Sequence, residues 1–165
     1  MPVSRQEYRD AMARLGAAVN IITTDGPAGR SGFTASAVCS VTDDPPTLLV
    51  CVNRNSNNNK LLQANGTLCV NTLAAGQREI SGVFAGITKC SVEERFLCGS
   101  WSALITGAPV LQDCVVSFDC RVVDVVEKGT HSVIFAEVEG IRQAVHHEQA
   151  LIYFARDYHG VGTAG

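Results

Sequence analysis

Gly32-Phe33-Thr34-Ala35-Ser36-Ala37-Val38-Cys39-Ser40-Val41-Thr42 is the stretch that decides how this chain is read. It lies between a loop rich in Gly and Pro, Asp25 to Gly32, and the stop Asp43-Asp44-Pro45-Pro46. Small hydroxyl residues alternate in it with small apolar ones. Such residues suit a pleated, half-buried strand. A strand of this kind lets a flat ligand approach the backbone closely, with hydroxyl and N–H groups free to hydrogen-bond. Tight packing inside a barrel asks for the same small residues. The stretch alone therefore leaves both readings open.

The flanking segments predict strands with short helices between them. Ser4 to Ala13 reads as a helix: Ser4 caps it, Glu7 completes a capping box, and Tyr8, Met12 and Leu15 give an apolar stripe. Ala17 to Thr24 is a β-rich run ended by Asp25-Gly26-Pro27. Pro46 to Asn53 is apolar on both faces, so it is central or lies at a subunit contact. In the polar stretch Asn53 to Lys60, Ser56 or Asn57 caps a helix through Leu61, Leu62 and Gln63. Asn65-Gly66 marks a turn before a strand, Thr67 to Leu73. Gln77 to Ala85 and Glu93 to Phe96 read as helices, and Gly99 to Ala108, with Trp101, as irregular. Val110 to Val126 is a long β-rich run, His131 to Ile141 a strand, and Ala150 to Phe154 the last strand. Gly160 to Gly165 reads as a loose tail. Long helical crossovers are missing. The expectation is an antiparallel, mainly β barrel with a few short peripheral helices.

Composition narrows the function classes. A chain of 165 residues reads as one domain large enough for a real core. It is 46% hydrophobic and 18% charged, which is globular composition. A net charge of −3 and the lack of any Lys/Arg run exclude nucleic acid as an electrostatic partner. Met1 to Asp10 is polar and charged, unlike a secretory leader. No apolar run approaches the ~20 residues of a membrane-spanning helix. The seven cysteines are odd in number and contain no Cys-x-x-Cys; most sit in apolar runs, where Cys acts as a small hydrophobe. The expectation is a reduced, cytoplasmic protein with neither disulfide framework nor zinc site. Cys90 and Cys98, in less regular sequence, are expected to be the most reactive.

No Gly-x-Gly-x-x-Gly, phosphate loop or Gly-x-Ser-x-Gly elbow occurs. His146-His147 beside Glu148 reads as an exposed turn, since a metal site needs converging ligands. His131, after Gly129-Thr130, and His159, after Tyr158, are the more interesting histidines. Such a side chain changes charge near neutral pH and donates readily to a bound anion.

Taken together, several motifs resemble one family. They are Gly32 to Thr42, the Asp-Pro-Pro turn, the Asn53-x-x-Ser56 element, Leu68-Cys69-Val70-Asn71, Glu93-Glu94-Arg95-Phe96 and Gly129-Thr130-His131. In order and spacing, from about Tyr8 to His159, they resemble the short-chain flavin reductases. These are the reductase components of two-component flavin-dependent monooxygenases, including those of 4-hydroxyphenylacetate hydroxylation and pyrimidine degradation. One departure is the run Asn57-Asn58-Asn59, where more mixed residues are expected.

The resemblance implies a split, FMN-binding, Greek-key barrel, a homodimer, bound FMN or FAD, and NADH as reductant. A separate oxygenase would receive the reduced flavin. It places the flavin against Thr34, Ala35, Ser36 and Ala37, with Ser40, Val41, Thr42 and Cys51 nearby. Asn53, Ser56 and Lys60 would take the phosphate end, and Phe84, Ala85 and Gly86 another edge. Tyr158 and His159 would face the nicotinamide. So would His131, the one residue counted as catalytic, which orients NADH through a hydrogen bond. Such chemistry needs no nucleophile or metal, because the flavin carries it. The protein holds two flat rings at near-attack distance and supplies donors to the reduced ring. A non-catalytic flavin- or haem-binding split barrel, or an enzyme like pyridoxamine-phosphate oxidase, would share much of this pattern.

Overall fold

The computed structural model describes residues 2–146 and 149–162. Twelve strands form among them: β1 Ala17–Ala18, β2 Asn20–Thr24, β3 Ser31–Ala35, β4 Val38–Asp43, β5 Pro46–Asn53, β6 Thr67–Thr72, β7 Trp101–Ser102, β8 Val110–Leu111, β9 Val116–Lys128, β10 His131–Gln143, β11 Ala150–Phe154 and β12 Asp157–Val161. Four α-helices lie between or before them: α1 Arg5–Met12, α2 Asn57–Asn65, α3 Arg78–Phe84 and α4 Val92–Arg95. A 3₁₀ turn, Ala75–Gln77, leads into α3.

Seven antiparallel strands make the main sheet in the order β3-β2-β6-β9-β10-β5-β4. Its two edges, β3 and β4, are consecutive in the chain. Only Ser36 and Ala37 join them, three Cα steps or about 11 Å at most. The sheet must curl until its edges nearly meet, which makes it a barrel. The expected single strand from Gly32 to Thr42 is thus two strands on opposite edges. The break is local: the Val38 N–H turns back to the Ser36 carbonyl at 2.9 Å, and the Cys51 N–H donates to the Ala37 carbonyl at 3.0 Å.

The run Ala17 to Thr24 divides too. β1 joins the separate sheet β1-β11-β12, while β2 stays in the barrel. Val19 is the hinge between them. Its N–H donates to Leu151, its carbonyl accepts from Leu73, and the Leu151 N–H donates to Leu73. All three side chains are buried.

Two cores result. Inside the barrel lie Ile22, Val50, Leu62, Leu68, Val70 and Ile134. Outside it, Ile21, Leu73, Ile80, Phe84, Phe96 and Leu151 form a second core under α3. Every residue of β2 is buried, because its two faces serve the two cores. A strand covered on both sides reads as a continuous apolar run.

Helix ends follow the sequence closely. Ser4 and Glu7 form the capping box of α1, but its stripe stays in solvent, with Tyr8 and Leu15 each 60% exposed. Ser56 caps α2 through the Asn59 N–H, and Gly66 ends it at φ 70°. Ser91 and Glu94 box α4. The long run from Val110 breaks at Asp113, φ 62°, into β8 and β9. Trp101, expected in an irregular segment, pairs with Leu111. The last expected strand is followed by another, β12, through a turn in which Ala155 and Arg156 both have positive φ. No helix among the described residues is long and apolar enough to cross a membrane.

Candidate active site

The seam left by the curled sheet is a groove of about 290 Å³. One wall is β3 and its link, Phe33 to Ala37. The other is Cys51 to Asn53 of β5 with Ser56 and Asn58 at the start of α2. As a sheet edge, β3 turns alternate backbone N–H and C=O groups away from β2, where no strand pairs with them.

At the α2 end the polar groups are tightly organised. Ser56 Oγ accepts from the Asn59 N–H at 3.2 Å and donates to the Asn53 carbonyl at 2.9 Å. The first turn of α2 holds no acidic residue. Its free N–H groups favour an anion. The three consecutive asparagines have different surroundings. Asn57 is exposed. Asn58 lines the groove and accepts from Ser31 Oγ at 2.5 Å. Asn59 is 2% exposed and donates to Ser132 Oγ at 2.8 Å, fastening α2 to β10. Lys60 is exposed on the same helix.

A smaller cavity of about 170 Å³ adjoins the same strip, lined by Val19, Thr34, Ala35, Ser36, Tyr153 and Tyr158. Thr34 Oγ1 donates to the Ser81 carbonyl at 2.6 Å, and Ser81 Oγ lies 2.9 Å from the Tyr158 hydroxyl. One buried residue of α3 thus touches both the strip and the last hairpin.

Of the expected site residues, Thr34, Ala35, Ser36, Ala37, Cys51, Asn53 and Ser56 come together at the groove. Burial and then the neighbouring Cys39 thiol push the Cys51 pKa up, so Cys51 is held as a thiol. Tyr158 lines the smaller cavity. His159 follows it on the opposite face of β12; it is exposed, with Nε2 3.1 Å from the Phe154 carbonyl. His131 pairs with Asn53 in the β10–β5 ladder, so it shares Asn53's face at the Ser56 end. Its Nδ1 is 2.9 Å from Thr130 Oγ1.

Other expected residues lie apart from the groove. Ser40 and Thr42 border a third cavity, of about 310 Å³, with Pro46, Leu48, Phe118 and Val138. Val41 is exposed beside them. Phe84 is 1% exposed and meets Phe96 edge-on at 5.2 Å, behind Gly32. Ala85 caps α3, and Gly86, at φ 83°, stands beside Arg95. His147 and Glu148 lie outside the described residues, and His146 is exposed. All seven cysteines are free; Cys39 is exposed, Cys90 and Cys98 half-buried.

Sequence reasoning missed Phe33, Val52 and Asn58 in the groove and Val19 and Tyr153 in the smaller cavity. The helix cap at Ser56 could have flagged Asn58, two residues on. Tyr153 needed the β1–β11 pairing, which is non-local.

Comparison with known proteins agrees with this geometry. The family model described as a flavin reductase like domain matches residues 12–162. An FMN reductase (NADH) RutF of Ancylobacter novellus is 60% identical over 159 residues, covering 96% of this chain and 86% of that protein. The crystal structure of a protein provisionally described as a flavin reductase, from Haemophilus somnus 129pt, superposes with a TM-score of 0.91 at 46% identity. It covers 96% of this chain and 100% of that one. The styrene monooxygenase flavin reductase of Pseudomonas putida S12 superposes with a TM-score of 0.81 at 25% identity, covering 95% and 99%. With a match that runs through both cavities and every strand of the barrel, the chain belongs to the flavin reductase like family.

Proposed function

We propose that this chain is an NADH-dependent flavin reductase that takes FMN and hands the reduced flavin to a separate oxygenase. The observation that carries this is the groove itself. A strip of small residues with a free backbone edge faces the acid-free N-terminus of α2, capped by Ser56. That donor set fits a flat heterocycle with a phosphate tail. Ser56, Asn58 and the first-turn N–H groups would hold the phosphate. Thr34 to Ala37 would carry the ring and offer donors to its polar edge. When bound, the flavin supplies the hydride chemistry, and the chain supplies position and water exclusion.

FMN is the flavin named for the RutF relatives, and the styrene monooxygenase relative is named as the reductase of an oxygenase. A homodimer fits the apolar surface that one chain leaves uncovered: the third cavity, and the exposed Val41, Ile141, Met12 and Leu15. A symmetric partner is the commonest cover for such a surface. Seven free thiols suit the cytoplasm.

The test is direct. FMN fluorescence should quench on titration with the protein, and anaerobic NADH should bleach the complex. Binding without bleaching would make the chain a flavin carrier. Light scattering at micromolar concentration should give twice the mass of one chain.

A further inference from the structure

Resting on that reading, we infer that the cavity between Tyr153 and Tyr158 is the nicotinamide subsite, with Tyr153 a binding residue and Ser81 a positioning residue. The cavity shares Thr34, Ala35 and Ser36 with the larger groove, so its occupant touches whatever lies on the strip. At about 170 Å³ against about 290 Å³, it suits one ring where the groove suits a fused system. Its walls are aromatic: Tyr153 and Tyr158 pair across β11 and β12, rings 5.5 Å apart and T-shaped.

Aromatic walls suit this substrate for a physical reason. Hydride loss turns the neutral dihydronicotinamide ring into a cation, while the hydrogen and two electrons pass to the flavin. Tyrosine faces attract a cation. Their attraction therefore grows along the reaction, which is the condition for lowering a barrier.

Tyr158 is held from two sides. The Arg78 guanidinium donates to its carbonyl at 3.0 Å and lies 5.9 Å from its ring centroid. Ser81 Oγ fixes its hydroxyl at 2.9 Å. Thr34 is bonded to the Ser81 carbonyl, not to its side chain. Ser81→Ala therefore frees Tyr158 and leaves the acceptor for Thr34 in place. Tyr153 has no such partner among the described residues, so its ring is a wall whose hydroxyl can meet the carboxamide.

The experiment uses the full chain loaded with FMN. NAD⁺ affinity is measured by calorimetry, flavin affinity by fluorescence quenching, and NADH kinetics at saturating FMN. Tyr153→Leu should weaken NAD⁺ about 5- to 30-fold, the range of cation–π and hydroxyl losses, and change flavin affinity less than about twofold. Tyr153→Phe should retain most NAD⁺ affinity. Ser81→Ala and Tyr158→Phe should each raise the NADH Michaelis constant about 3- to 10-fold, and the double variant no further, because both delete one bond. Unchanged NAD⁺ affinity in Tyr153→Leu would overturn the subsite. Additive effects of the two deletions would overturn the role of Ser81. Failure of the unaltered protein to bind FMN would instead defeat the flavin reductase reading beneath both.

Discussion

Gly32→Ala tests whether the strip is held from behind by the aromatic cluster. A Cβ at Gly32 would lie 2.8 Å from Phe84 Cε1, 3.0 Å from Phe84 Cδ1 and 3.3 Å from Phe96 Cζ. Phe84 cannot swing clear: it is buried against Phe96 at 5.2 Å and Trp101 at 5.5 Å. Overpacking of this kind costs about 1–3 kcal/mol. The Gly32 backbone does not lie in the left-handed region, so alanine fits it without strain. Without the clash, losing glycine's unfolded freedom would stabilise by ~0.4–1 kcal/mol. The two effects have opposite signs, which makes the sign itself the readout. The net expectation is a loss of about 1–2 kcal/mol, or roughly 2–8 °C in Tm for a chain of this size. Because β3 carries the strip, FMN affinity should fall as well. Phe84→Leu in the same chain should relieve part of the clash, with a coupling of at least ~0.5 kcal/mol in urea denaturation. A Tm unchanged or raised in Gly32→Ala would refute the reasoning.

Four further outcomes are expected. Ser56→Asp keeps an N-cap, so the fold should persist, while FMN binding weakens at least tenfold, ~1.4 kcal/mol, through repulsion of the phosphate; equal affinity in a fluorescence titration would place the phosphate elsewhere. His131→Asn should raise the NADH Michaelis constant several-fold at constant flavin affinity. A shift in flavin affinity would tie His131 instead to its ladder partner, Asn53. The raised Cys51 pKa leaves little thiolate at neutral pH, so iodoacetamide should label exposed Cys39 before Cys51 by mass spectrometry; FMN should slow Cys51 further, and labelling of Cys51 indifferent to FMN would count against the groove. Asp10 is held below its ordinary pKa, chiefly by its bond to Arg156, which ties α1 to the last hairpin. A depressed carboxyl stabilises above its unfolded pKa and loses that as pH falls through the folded one. The small Tm gap between the protein and Asp10→Asn should shrink on acidification below about pH 4 and with added salt.

Local signals carried much of the fold. Ser4, Ser56 and Ser91 announced helix starts because a cap is a contact within three residues. Pro46 to Asn53 was legible because proline and the polar stretch bound it. What escaped was set by distant partners. Nothing between Ala35 and Val38 looks like a break, yet the chain there passes from one sheet edge to the other. The hairpin after Phe154 turns at Ala155-Arg156, without the Asn-Gly or Asp-Gly that usually marks two positive-φ residues. The site followed the same division. Thr34 to Ala37 and Ser56 were evident as residue types, whereas Tyr153 and Ser81 matter through pairings that sequence order hides.

The open seam between β3 and α2 also makes this fold answer to its ligand's concentration. Ser31 to Asn58 is a side-chain bond spanning it. A molecule lying along the seam acts as an extra strand and a latch, slowing amide exchange at Phe33 to Ala37 before any other part of the barrel. At a hundredfold excess over its dissociation constant, such a ligand adds about 2.7 kcal/mol to the unfolding free energy. Cellular flavin would then set how long each copy of the protein survives proteolysis, and starvation for flavin would remove the reductase along with its substrate.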